Sequence, residues 1–142
     1  MKKNKYEALS EFRYQLRRFM HFSEEIAKSE GLSPLQYLLL LHIKGFPGRD
    51  WATVGEIAER LQIKQHGAVA LLTRCEALNL VERRKSATDR RRVEVHLLDE
   101  GSRRLEKLAS LHEAELRSLT DVFQVQQITA YNDEADPGCD KE

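Results

Sequence analysis

The chain has 142 residues with 23 Lys and Arg against 23 Asp and Glu, so its formal charge is zero although 32% of its residues are charged. Domains commonly run to about 100–150 residues, so that length fits one hydrophobic core and excludes a catalytic domain beside a separate binding domain. Aliphatic runs such as Leu38 to Leu41 are far shorter than the roughly 18 residues of a membrane span. Cys75 and Cys139 are too few for a disulfide framework, so a reducing, cytoplasmic setting away from membranes is expected.

The charge is unevenly spread. Residues 1–20 carry six cations against Glu7 and Glu11, a net of +4, whereas residues 131–142 carry five carboxylates against Lys141, a net of −4. That acidic end, with its Asp-Pro-Gly, is expected to be disordered. Between them lies a segment in which Arg83, Arg84, Lys85, Arg90, Arg91 and Arg92 face only Asp89.

In chain order, Leu9, Phe12, Leu16, Phe19 and Ile26 keep steps of about three and four, which predicts a helix that packs along another helix, with Ser23 interrupting the seam. Gly31 offers a left-handed stop. Ser33-Pro34-Leu35-Gln36 is a capping box with a first-turn Pro and predicts a second helix, apolar on nearly every side through Leu35, Leu38, Leu39, Leu40, Leu41 and Ile43 and therefore central. Thr53-Val54-Gly55-Glu56 is a second capping box opening a short helix, and Gln62-Ile63-Lys64 is a turn. Ala68, Leu71, Leu72, Cys75 and Leu78 then recur at helical spacing up to Asn79, a left-handed stop. The period next falls to two: Val81, Arg83 and Lys85, then Val93, Val95 and Leu97, predict a hairpin with a basic tip. A last helix from about Asp99 carries Leu105, Ala109, His112, Leu116, Leu119 and Phe123 on one stripe.

A helix-turn-helix followed at once by an Arg-rich hairpin is a winged helix, in which the second helix enters the major groove of DNA and the wing follows the backbone or the minor groove. The outward face of that helix holds Gln65, His66, Gly67, Ala70, Thr73, Arg74 and Ala77; Gln and Arg read base edges and Ala70 suits a thymine methyl. Arg84, Lys85, Arg90, Arg91 and Arg92 on the wing repel one another until phosphates neutralise them. Asp89 either caps the turn through the backbone or holds one Arg in a fixed direction. Because a fold does not fix a function, the competing reading is a winged-helix protein-interaction module that does not bind DNA.

At this point the chain resembles the multiple-antibiotic-resistance regulator (MarR) family of bacterial transcription factors. The resemblance runs from Phe12 to Phe123 and rests on Thr53 to Leu61, Gly67-Ala68-Val69, Arg74, Asn79 to Arg84, Asp89-Arg90-Arg91 and Asp99-Glu100-Gly101. It implies an α+β fold, mostly α: one domain over 1–130, with a winged helix at about 33–98 and helices at about 6–30 and 99–125 forming a dimerisation base, before the acidic tail at 131–142. It also implies a homodimer that reads a palindrome in double-stranded DNA, with Arg91 in the minor groove. The dimer contacts are expected from Leu9, Phe12, Leu16, Leu116, Leu119 and Phe123. Gly67 stands where the family often has Ser or Thr, and Leu98 where its last helix is usually capped by Thr, so either Asp99 takes the capping role or the helix start moves by a residue.

Members of the family often bind small phenolic or carboxylated compounds, which implies a small aromatic effector here, with Arg18, His21, His42, Phe46 and Trp51 as candidate contacts. Peroxide sensors of the family carry a reactive Cys in the first helix, and this chain has none there. Cys75 sits at a core-facing position and reads as a small buried hydrophobe. The five His residues lie on at least four elements without metal-ligand spacing, and the glycines form no phosphate loop, so no enzyme activity, metal or cofactor is expected. His112 reads as a hydrogen-bonded interface residue. The sum is a homodimeric transcriptional regulator, a repressor released from its operator by its ligand.

Overall fold

The structure, a computed structural model, describes residues 1–123. The side chains of Leu119 and Phe123, the 131–142 tail and Cys139 lie outside the described residues. The elements run α1 (Lys3–Ser29), α2 (Pro34–Lys44), β1 (Trp51–Ala52), α3 (Val54–Leu61), α4 (Gln65–Ala77), β2 (Val81–Lys85), β3 (Val93–Leu97) and α5 (Asp99–Phe123). They fall into two compact units, one of Glu24–Leu111 and one that joins Met1–Ser23 to the segment starting at His112.

The larger unit is a winged helix. Both capping boxes form: the Ser33 hydroxyl accepts from the Gln36 amide while the Gln36 side chain accepts from the Ser33 amide, and Thr53 and Glu56 do the same for α3. Each satisfies two of the amides that a helix N-terminus leaves open. Gln62 (φ 54°) ends α3 in the left-handed region and Asn79 (φ 58°) follows α4 in it. The Leu80 amide then reaches the Cys75 carbonyl at 3.0 Å, the closure of a Schellman turn. Leu39, Leu40, Ile43, Ile57, Leu72, Cys75, Leu80, Val81, Val95 and Leu108 are fully buried in one cluster. α2 is its centre, as expected, but not on every side: Leu35 lies in the first turn of α2 and is exposed. Leu78 is also exposed, because it is the C-cap of α4, where the chain has left the helical path that would turn its side chain inward.

The hairpin gains a strand that has no sequence signature. Trp51 and Ala52 pair with β3 as Trp51↔His96 and Ala52↔Val95, giving an antiparallel sheet of order β1-β3-β2. Two residues are too few to display a period. Across the other edge Val81 faces Leu97, Arg83 faces Val95 and Lys85 faces Val93. The cap of α5 also differs from expectation. Leu98 stands at the N-cap, its carbonyl accepting from the Ser102 amide at 2.9 Å and its amide donating to the Leu80 carbonyl at 2.9 Å, while Asp99 and Glu100 supply negative charge to the first turn. Gly101 passes so close to Leu80, the residue before β2, that a Cβ there would lie 2.1 Å from the Leu80 carbonyl oxygen.

In the smaller unit Gln15 and His112 are buried. Leu9, Leu16, Met20 and Leu116 remain exposed within the single chain. No helix among the described residues is long and apolar enough to cross a membrane.

Candidate nucleic-acid interface

The candidate interface consists of the outer face of α4 and the wing. Burying Ala68, Leu71, Leu72 and Cys75 turns Gln65, His66, Ala70, Thr73, Arg74 and Ala77 outward, with Gly67 half-exposed. Val69 belongs to the same exposed face, and the sequence reading had not put it there. A Cβ at Gly67 would meet only the Ile63 side chain at 3.9 Å, an ordinary contact.

Thr73 is already engaged. Its hydroxyl donates to the Val69 carbonyl at 3.0 Å and accepts from Nη2 of Arg83 at 3.0 Å, while Nε of Arg83 donates to Glu76 at 2.6 Å. Arg83 thus ties β2 to α4, a role missed in the sequence although the signal was there. In a strand with period two, Arg83 shares the face of buried Val81 and must lean toward the helix. The Thr73 side chain keeps its methyl and one acceptor lone pair unused in these bonds.

The wing tip is organised by Ser86, which is buried. Its hydroxyl accepts from the amides of Thr88 (3.3 Å) and Asp89 (3.2 Å) and from Nη2 of Arg92 (3.3 Å), and its amide donates to the Arg92 carbonyl at 3.0 Å. Asp89 takes the first of its two expected roles: Oδ1 accepts from the Arg91 amide at 2.9 Å, so the carboxylate caps the turn, and among the described residues it holds no guanidinium. The three tip arginines consequently divide. Arg90 and Arg91 are exposed, and neither side chain has a polar partner among the described residues. Arg92 folds back, its guanidinium carbon 4.9 Å from the centre of the Trp51 ring and Nη2 3.5 Å from Glu94. Arg84 pairs with Glu82 at the surface, and Lys85 is exposed.

The candidate ligand contacts separate by unit. Arg18 and His21 belong to the smaller one and are exposed, with Arg18 5.7 Å from the centre of its neighbour Tyr14. His42, Phe46 and Trp51 belong to the winged helix and are half-buried. Burial, and then the charge of Arg60, hold the His42 imidazole below its usual pKa, which favours its neutral form at pH 7. Arg49, unremarked in the sequence, lies 4.2 Å from the Phe46 ring centre and 3.8 Å from that of Trp51, and pairs with Glu56. Burial raises the Glu56 carboxyl, but hydrogen bonds from Thr53 and the charge of Arg49 outweigh it, so its pKa is lowered. Guanidinium contacts of this kind contribute about 0.5–1 kcal/mol at exposed sites and more when desolvated, so both rings already pack within the fold.

Comparison with known proteins places this geometry. Residues 30–92 match the model described as the MarR family. The chain is 31% identical over 84 residues to the HTH-type transcriptional repressor MdtR of Bacillus subtilis, a match covering 59% of this chain. The chain spans about half the length of that relative (52%). Among solved structures it is similar to AbsC, a MarR family transcriptional regulator from Streptomyces coelicolor, with TM-score 0.73, 22% identity and coverage of 95% of this chain and 90% of AbsC. A Staphylococcus aureus MepR mutant bound to an oligodeoxyribonucleotide superposes with TM-score 0.63 at 21% identity, covering 87% of this chain and 88% of MepR. At these identities the structural likeness concerns the fold.

Proposed function

We propose that the chain, whose residues 30–92 match the MarR family model, is a transcriptional regulator that binds double-stranded DNA as a homodimer, represses from palindromic operators and is released by a small aromatic or carboxylated ligand. The observation that carries this reading is the pair Arg90 and Arg91 at the wing tip, exposed and without polar side-chain partners among the described residues. Adjacent like charges gain nothing from the fold, and phosphates would neutralise them with release of counterions. The exposed face of α4 supplies Gln65 and Arg74 for base edges.

Dimerisation is supported by exposed Leu9, Leu16, Met20 and Leu116 in the smaller unit, apolar surface that a second copy would cover. An isologous dimer presents two identical readers, which is why a palindrome is the expected operator. The name of MdtR supports repression, and the oligonucleotide bound by the MepR mutant supports DNA as the partner.

The deciding experiment is recovery of the genomic DNA bound by the protein, followed by a footprint. A protected sequence with two-fold symmetry is expected, from a species of about 33 kDa by light scattering, twice the 16.5 kDa chain. Capture of no DNA would favour a protein-binding winged helix.

A further inference from the structure

A two-stranded ribbon is marginally stable and twists freely unless something packs against it. Here β1 supports the wing only at its base, where Trp51 and Ala52 pair with His96 and Val95. Beyond Val95 toward the tip, the ribbon has no third strand. The Trp51 side chain extends the support outward. Its indole carries the Arg92 guanidinium at 4.9 Å, and Arg92 in turn donates to Ser86, the residue on which the tip amides converge. The same indole carries Arg49 at 3.8 Å, and Arg49 pairs with Glu56 in the capping box of α3.

We infer that Trp51 and Arg92 are positioning residues for nucleic-acid binding: the indole clamps the Arg92 guanidinium against β1 and so fixes the direction in which Arg90 and Arg91 leave the wing. The inference rests on the DNA-binding reading above. It gives Arg92 a role different from that of its two neighbours, although the three look alike in the sequence. A guanidinium suits the clamp because it is planar and can lie on a ring while its outer nitrogens still donate; an ammonium cannot do both.

The test uses the intact protein and a duplex recovered in the genomic-binding experiment. Trp51→Ala and Arg92→Ala should each weaken binding about tenfold, and the double variant should be no weaker than either single one, because both remove the same contact. Neither should change the salt slope, since no phosphate contact is lost. Trp51→Phe should recover most of the affinity, and Arg92→Lys, which keeps the charge, should not. Without DNA, amide exchange at Thr88 to Arg91 should quicken in Trp51→Ala and Arg92→Ala, and that result stands apart from the DNA-binding reading. Additive losses, or a salt slope reduced by about one in Arg92→Ala with Trp51→Ala unaffected, would make Arg92 a direct phosphate contact and overturn the clamp. Should Trp51→Ala not fold, Trp51→Phe and the two Arg92 variants decide the matter. If the wild-type protein binds no duplex, the DNA role fails, and unchanged amide exchange would remove the clamp as well.

Discussion

The Ser23 hydroxyl and Nε2 of His112 lie 2.7 Å apart. Each is the polar interruption in an otherwise apolar stripe, one on α1 and one on α5, and the two interruptions meet. Around the imidazole, Phe19 and Phe22 stand edge-on with ring centres at 6.2 and 6.0 Å, and His112 is only 5% exposed. A polar group in such surroundings is costly without a hydrogen bond, which is why the stripe on α1 carries Ser at this position. Ser23→Ala should therefore cost about 0.5–1.5 kcal/mol, the range for one hydrogen bond lost, and Ser23→Thr, which keeps a hydroxyl, should cost less. Urea unfolding of both variants reads the difference, and equal midpoints for Ser23→Ala and wild type would remove the bond from the stability of the fold.

That pair was half legible in the sequence, and the reason holds elsewhere. Features settled within four residues could be read: the capping boxes at Ser33 and Thr53, the left-handed Asn79, and the change of period at Val81. Features settled by a distant partner could not. Nothing near Trp51 announces that it pairs with His96, nor does anything near Arg92 set it apart from Arg90 and Arg91. Periodicity identified the buried face of α4 and carried Leu78 inward along with it, because a helical repeat does not show that the helix has ended one residue earlier.

Two glycines inside helices should respond oppositely to the same substitution. A Cβ at Gly67 has room, so Gly67→Ala should stabilise the protein by up to about 1 kcal/mol through helix propensity alone. A Cβ at Gly101 would sit 2.1 Å from the Leu80 carbonyl oxygen, which is fixed from the other side by the Leu98 amide. Gly101→Ala must push α5 off the Leu80 backbone, and a loss of several kcal/mol is expected, beyond the usual 1–3 kcal/mol of an overpacked site. Thermal unfolding of the two variants side by side is sufficient, and a tolerated Gly101→Ala would contradict the close approach of α5 to Leu80.

The proposed DNA interface separates two kinds of arginine. Arg91 has its backbone held by Asp89 and an exposed side chain, whereas Arg84 is paired with Glu82 on the strand. If Arg91 enters the minor groove, Arg91→Ala should weaken operator binding by about 1–3 kcal/mol, and Arg84→Ala, as a phosphate contact, should mainly lower the salt slope by about one. Titrations at two salt concentrations distinguish them. Wild-type affinity in Arg91→Ala would take the tip out of recognition and favour the protein-binding reading.

Release from DNA is expected to respond to a small aromatic acid and not to peroxide. Cys75 is fully buried, and burial together with the charge of Glu76 pushes its thiol up to about 11. The reactive species is the thiolate, and at pH 7 a pKa four units higher leaves on the order of one thiol in ten thousand ionised. A ligand, by contrast, shifts the equilibrium through its differential affinity for the two states, and the effect is reciprocal: it must loosen DNA by the factor by which DNA loosens the ligand. Adding a salicylate-like compound should lower DNA affinity, and the compound should bind more weakly to the DNA complex by that same factor. Mild peroxide should leave DNA affinity unchanged in the wild type and in Cys75→Ser alike. Release by peroxide in the wild type that disappears in Cys75→Ser would establish a redox switch in place of the ligand.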